Sequence, residues 1–125
     1  MTILIADQNP GFRKAVKNLL QVDENVSEKG RTVWEADDGE MAVELARELR
    51  PDLVIMDMSL PRMSGLEATT MIKKIGAANI QVIMMGEYTE SVYRLAAIRS
   101  GADAFLPKSN TWATGDDPSS VYRRR

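Results

Sequence analysis

Short apolar runs alternate along the chain with stretches whose apolar residues recur at helical spacing. The runs are Thr2 to Ala6, Thr32 to Ala36, Leu53 to Met56, Ile80 to Met85 and Ala104 to Leu106, each read as a strand. After the first, Asn9 and Pro10 supply an N-cap and a proline at the first helical position. Phe12, Val16, Leu19 and Leu20 follow at i, i+4, i+7 and i+8. Gln21 to Gly30 is polar and unpatterned and reads as a loop. Asp38 can cap a second helix with Ala42, Leu45, Ala46 and Leu49 inward, and Pro51 stops it. Ser64 and Glu67 form a capping box for a third, continued by Ala68, Met71, Ile72 and Ile75. Tyr88 to Ser100 reads as a fourth, with Val92, Leu95, Ala96 and Arg99 on one face and Gly101 at its end.

After Asn110 the pattern fades, and Trp112 and Val121 are the only strong anchors beyond Lys108. A fifth helix is therefore expected to be short or poorly formed. Strands alternating with amphipathic helices imply parallel βαβ units, hence an α/β fold with a doubly wound five-stranded sheet and helices on both faces. Residues 1–112 are expected to form one domain and 113–125 a C-terminal linker or tail.

Composition narrows the chemistry. The 125 residues include neither cysteine nor histidine, so thiol and imidazole chemistry are excluded and any site must work with carboxylates, lysine or water. A net charge of −2 argues against a dedicated nucleic-acid surface, and the closing Arg123-Arg124-Arg125 reads as a solvated tail. No stretch approaches the roughly 20 apolar residues of a membrane span, and no signal peptide is visible, so a cytoplasmic location is expected. The eight methionines read as core filler, with Met56, Met84 and Met85 on buried strands.

The run ending in Asp57 is the one that points to a site. Parallel sheets bind ligands at the carboxyl ends of their strands. Asp7 and Gln8 follow the first strand, Asp57 the third, Gly86 and Glu87 the fourth, and Lys108 the fifth. Two carboxylates near a lysine can hold a hard cation such as Mg2+. A carboxylate so placed can also act as a nucleophile toward phosphorus, with lysine neutralising the phosphoryl oxygens. The bland reading of Asp7 and Asp57 is that they cap strand ends, and Lys108 could pair with Asp57 in a resting salt bridge.

Taken in order, Ile3-Leu4-Ile5-Ala6-Asp7, Asp38-Gly39, Asp57 with Pro61 and Gly65, and Gly101-Ala102 leading to Lys108 resemble a bacterial response-regulator receiver domain. The Asn9-Pro10-Gly11-Phe12-Arg13 start is most similar to receivers of regulators with a helix-turn-helix output, for which this chain has no room. The resemblance implies a flavodoxin-like (βα)5 fold. It implies that Asp57 is the phosphoacceptor, that Lys108 contacts the phosphoryl group, and that Mg2+ is held by Asp57, the Gln8 position and the Ser59 backbone carbonyl, with Asp7 acting through water. It also implies a histidine kinase or phosphotransfer protein upstream, and an effector or an output domain absent from this chain downstream. A homodimer is a further implied partner. The signalling surface would be the fourth helix and fifth strand, with Glu87, Tyr88 and Phe105 at the switch. Such a domain is not a turnover enzyme.

The chain departs from this pattern at several positions. Gln8 replaces the usual second acid, which lowers the charge available to a cation and is expected to weaken Mg2+ binding. Gly86 stands where a switch hydroxyl is usual, and Phe105 is a switch aromatic without a hydroxyl. Pro107 precedes Lys108 where the family often has a proline after it. An alternative reading is therefore an atypical receiver that works as a phosphate-independent interaction module. A hydrolase of the same fold would need a second acid two residues past Asp57, and Ser59 stands there.

Overall fold

The computed structural model of the protein describes residues 1–22, 31–75, 79–88 and 90–108. Its elements run β1 (Thr2–Ala6), α1 (Pro10–Val22), β2 (Thr32–Ala36), α2 (Gly39–Leu49), β3 (Leu53–Asp57), α3 (Gly65–Lys74), β4 (Gln81–Gly86), α4 (Ser91–Ser100) and β5 (Ala104–Pro107). The strands pair in parallel in the order β2-β1-β3-β4-β5. From β1 the chain first builds outward to β2, then returns past β1 to lay down β3. That reversal opens a crevice at the carboxyl ends of β1 and β3.

Strand alternation splits the core into two layers. Leu4, Val54, Met56, Val82 and Met84 face α2, α3 and α4, which contribute Ala42, Val43, Ala46, Ala68, Ile72 and Ala97 to the same layer. Ile3, Ile5, Ile55, Ile83 and Met85 face the other way, against Val16 and Leu20 of α1. Every residue of β3 is buried, as a central strand covered on both faces requires.

The caps follow the sequence signals. The Asp38 carboxylate accepts from the Met41 N–H at 2.7 Å, and the Ser64 hydroxyl oxygen from the Glu67 N–H at 3.2 Å. Gly101 ends α4 at φ +108°, a left-handed conformation suited to glycine.

Several expectations change. β3, β4 and β5 each reach one residue past the apolar run, because the ladder continues through Asp57↔Met85 and Gly86↔Pro107. Asp57 and Gly86 are thus the last residues of their strands rather than loop residues. α1 extends through Gln21 and Val22, taking two residues from the expected loop. In α2, Val43 is buried beside Ala42 and Ala46, while Leu45 and Leu49 of the expected inner face are half-buried, Leu45 packing against the core. Met71 is exposed on α3, whose buried face is Gly65, Ala68, Thr69 and Ile72.

α4 differs most. It starts at Ser91, not Tyr88, because Glu90 is extended. Val92 and Leu95 point to solvent, and Ala97 is its one buried residue. The expected stripe is a true helical face, but spacing alone does not say which face the sheet takes. The expected fifth helix and the 113–125 tail lie outside the described residues. Among the described residues no helix is long and apolar enough to cross a membrane.

Candidate functional site

β1 delivers Asp7 and β3 delivers Asp57 to the same crevice, and both are buried, at 3% and 8% exposure. The end of β5 brings Lys108 over them. Its ammonium lies 2.8 Å from Asp7 Oδ2 and 3.4 Å from Asp57 Oδ2. The resting salt bridge anticipated with Asp57 therefore exists, but the shorter contact is to Asp7. Backbone donors hold the other oxygens: the Asn9 N–H donates to Asp7 Oδ1 at 2.9 Å and the Ser59 N–H to Asp57 Oδ1 at 3.3 Å.

A cleft of about 560 Å³ opens above this triad, lined by Asp7, Gln8, Asp57, Ser59, Gly86, Glu87, Tyr88 and Lys108 together with Asn9 and Met58. All the strand-end residues singled out in the sequence thus meet in one place. Glu87 and Tyr88 lie in the β4–α4 loop, exposed at the rim, rather than opening the helix. Gln8 is exposed. Phe105 lies outside the cleft.

Electrostatics follow from this packing. Burial pushes the Asp57 carboxyl above its ordinary 3.8, and the Asp7 charge pushes it further. The Lys108 cation and the Ser59 N–H only partly offset the rise. Burial by itself would lower the Lys108 ammonium. The hydrogen bond to Asp7 and the charges of Asp57 and Asp7 outweigh burial and hold it above its ordinary 10.5. The arrangement is a desolvated, basic carboxylate beside a fixed cation, which suits nucleophilic attack on an anionic centre.

Gly86 links this cleft to Phe105. A Cβ on Gly86 would lie 3.0 Å from Cε1 and Cζ of the Phe105 ring. The ring is buried, at 4% exposure, with the Arg94 guanidinium 5.7 Å from its centroid. Phe105 thus occupies the space that a side chain at position 86 would need. Gly86→Thr is expected to destabilise the protein by about 1–3 kcal/mol through overpacking. Phe105→Leu should recover part of that loss in the double variant, read as a coupling energy from urea unfolding. Strictly additive losses would show that the two positions do not compete for space.

Sequence reasoning missed the supporting residues. Arg13 donates to the Asp7 carbonyl at 2.7 Å and pairs with Glu35 at 2.9 Å, fixing the loop that carries Asp7. Phe12, read only as a core position of α1, places its ring 4.5 Å from the Lys108 ammonium. The Asn9-Pro10 cap signal located this loop without showing what it supports. Among the described residues no group of three histidine, cysteine or acidic side chains gathers where it could hold a metal ion.

A family profile described as the response regulator receiver domain matches residues 3–114. The chain belongs to the response regulator receiver family. This receiver is 35% identical over 108 residues to the nitrate/nitrite response regulator protein NarL of Escherichia coli, covering 86% of this chain and 47% of that protein. It therefore spans about half the length of that curated relative. Among solved structures, it superposes with a TM-score of 0.74 at 28% identity on a LuxR-family DNA-binding response regulator from Staphylococcus aureus, covering 86% of each chain. The NarL receiver domain from Mycobacterium tuberculosis superposes at 0.82, with 24% identity and 98% and 93% coverage, and shares the fold. The receiver is thus a two-component signalling module similar to those of NarL and LuxR-family regulators.

Proposed function

We propose that Asp57 accepts a phosphoryl group from a histidine kinase or phosphotransfer protein. This receiver then signals through the surface of α4 and β5 to an effector protein or to an output domain outside this chain. The observation that carries the reading is the position of Asp57, at the end of a central buried strand, facing an open cleft with the Lys108 ammonium 3.4 Å away. An Asp57 carboxylate oxygen bonds to phosphorus as the bond from phosphorus to the donor nitrogen breaks, and Lys108 meets the phosphoryl oxygens. The domain takes part in this transfer as a substrate that promotes its own modification, not as a turnover enzyme. A cytoplasmic site of action belongs with this reading.

The donor set fits Mg2+. Asp7 and Asp57 offer charged oxygens and the Ser59 carbonyl a neutral one, while the Gln8 amide could add another without charge. When bound, the ion would neutralise charge on the transferring group. With Gln8 in place of an acid, its affinity is expected to be low.

Intact-protein mass measurement after incubation with acetyl phosphate, with and without Mg2+, tests the reading. A single phosphoryl adduct that needs Mg2+ and disappears in Asp57→Asn is the expected result. No adduct at saturating donor would overturn it.

A second reading is a phosphate-independent interaction module. The burial of Phe105 against Gly86 favours it, because no side chain at position 86 can report on what occupies the cleft.

A further inference from the structure

Among the described residues the Lys108 ammonium meets two carboxylates and one aromatic ring. Besides Asp7 and Asp57, the ring of Phe12 lies 4.5 Å from it, centroid to nitrogen. A cation within about 6 Å of an aromatic centroid is attracted by the ring quadrupole, more strongly where water is excluded. Here the lysine side chain is only 18% exposed.

The two partners differ in how firmly they are held. Phe12 sits in the first turn of α1, where the Asn9 side chain accepts from the N–H groups of Gly11 and Phe12 at 2.8 and 3.2 Å. The neighbouring Arg13 ties the same turn to the Asp7 carbonyl and to Glu35 on β2. The ring is therefore carried by a pinned helix end. Lys108 reaches the site on a flexible four-carbon stem from the end of β5.

We propose that Phe12 is a positioning residue for Lys108: its ring fixes the ammonium over the Asp7–Asp57 pair. The functional consequence rests on the phosphoacceptor reading above; the geometry does not. A third acid would hold the ammonium equally well, but its charge would repel an incoming anionic phosphoryl group. A ring supports the cation without adding negative charge and without competing as a ligand for the phosphoryl oxygens. Gln8, exposed and uncharged, leaves this role open on the α1 side of the cleft.

Phe12→Leu keeps an apolar side chain and removes the ring, whereas Phe12→Tyr keeps the ring. Proton NMR of the Lys108 ε-methylene, assigned by its loss in Lys108→Met, reads the contact directly. Upfield ring-current shifts are expected in the wild type and Phe12→Tyr and should vanish in Phe12→Leu. The rate of adduct formation at saturating acetyl phosphate should fall about threefold to thirtyfold in Phe12→Leu, with the half-saturating donor concentration unchanged, and recover in Phe12→Tyr.

Ordinary ε-proton shifts in the wild type would overturn the proposal. So would shifts unchanged in Phe12→Leu, an unchanged rate despite their loss, or a Phe12→Tyr variant as slow as Phe12→Leu. Should no variant form an adduct, wild type included, the phosphoacceptor reading fails, while the ring-current comparison still decides whether Phe12 holds Lys108.

Discussion

Replacing Lys108 with methionine is expected to cost about 3 kcal/mol of folding stability at neutral pH, as removing one partner of a buried charge cluster does. Methionine keeps the apolar stem but leaves Asp7 and Asp57, both buried, facing each other without a cation. The pH dependence should also change. The Asp57 carboxyl already titrates above its ordinary 3.8 in the fold, so the folded state holds its proton more tightly than the unfolded state. That contribution is fully present below 3.8 and is lost as pH rises through the folded value.

Without Lys108 the attraction that offsets the rise disappears, so the loss with increasing pH should be larger in the variant. In the wild type a second loss is expected at alkaline pH, beginning above 10.5, because the Lys108 ammonium is held above that value in the fold. The variant should lack it. Adding Asp57→Asn to Lys108→Met should restore much of the neutral-pH stability by removing the repulsion between the acids. Urea unfolding across pH checks each statement. A Lys108→Met protein as stable as the wild type at neutral pH would mean that the bridge contributes nothing net.

Gly65→Ala is expected to destabilise the domain by about 3 kcal/mol, at the upper end of what overpacking costs. A Cβ there would sit 2.0 Å from the Asp57 carbonyl oxygen and 2.9 Å from the Met58 Cα. The Gly65 N–H also donates to the Met58 carbonyl at 2.9 Å, so α3 begins in backbone contact with the strand that presents Asp57. That strand cannot retreat, because Asp57 is in register with Met85 and the Met58 N–H donates to the Met85 carbonyl at 2.9 Å. The helix must move instead, and with it the loop through Ser59 that supports the Asp57 carboxylate. The urea midpoint should fall, and the amide resonances of Met58 and Ser59 should shift. A loss below about 1 kcal/mol would show that α3 slides outward at little cost.

Much of this molecule was legible in its sequence. The limits of β1 and β2, the caps at Asp38 and Ser64, and the stop at Gly101 all rest on local chemistry: apolar runs, short polar side chains that accept from free N–H groups, and a left-handed glycine. The meeting of Asp7, Asp57 and Lys108 was legible too. Parallel strands carry their carboxyl ends to one edge of the sheet, so strand order places these three positions along that edge, and the reach of the lysine from β5 closes the gap to the two acids.

What the sequence could not decide depends on contacts between residues far apart in the chain. Helical spacing grouped Val92, Leu95, Ala96 and Arg99, yet only the seat of α4 beside α3 and β5 selected Ala97 as the buried position. The preference of Lys108 for Asp7 over Asp57, and its place beside the Phe12 ring, are set by where β5 ends relative to the start of α1. The filling of the Gly86 space by Phe105 arises because β5 pairs with β4 in one register. Local propensity and pattern act within a few residues and so fix the elements and the order of the strand ends. Side-chain reach and volume act across the sheet, and only the folded packing determined which cation, ring and backbone came into contact.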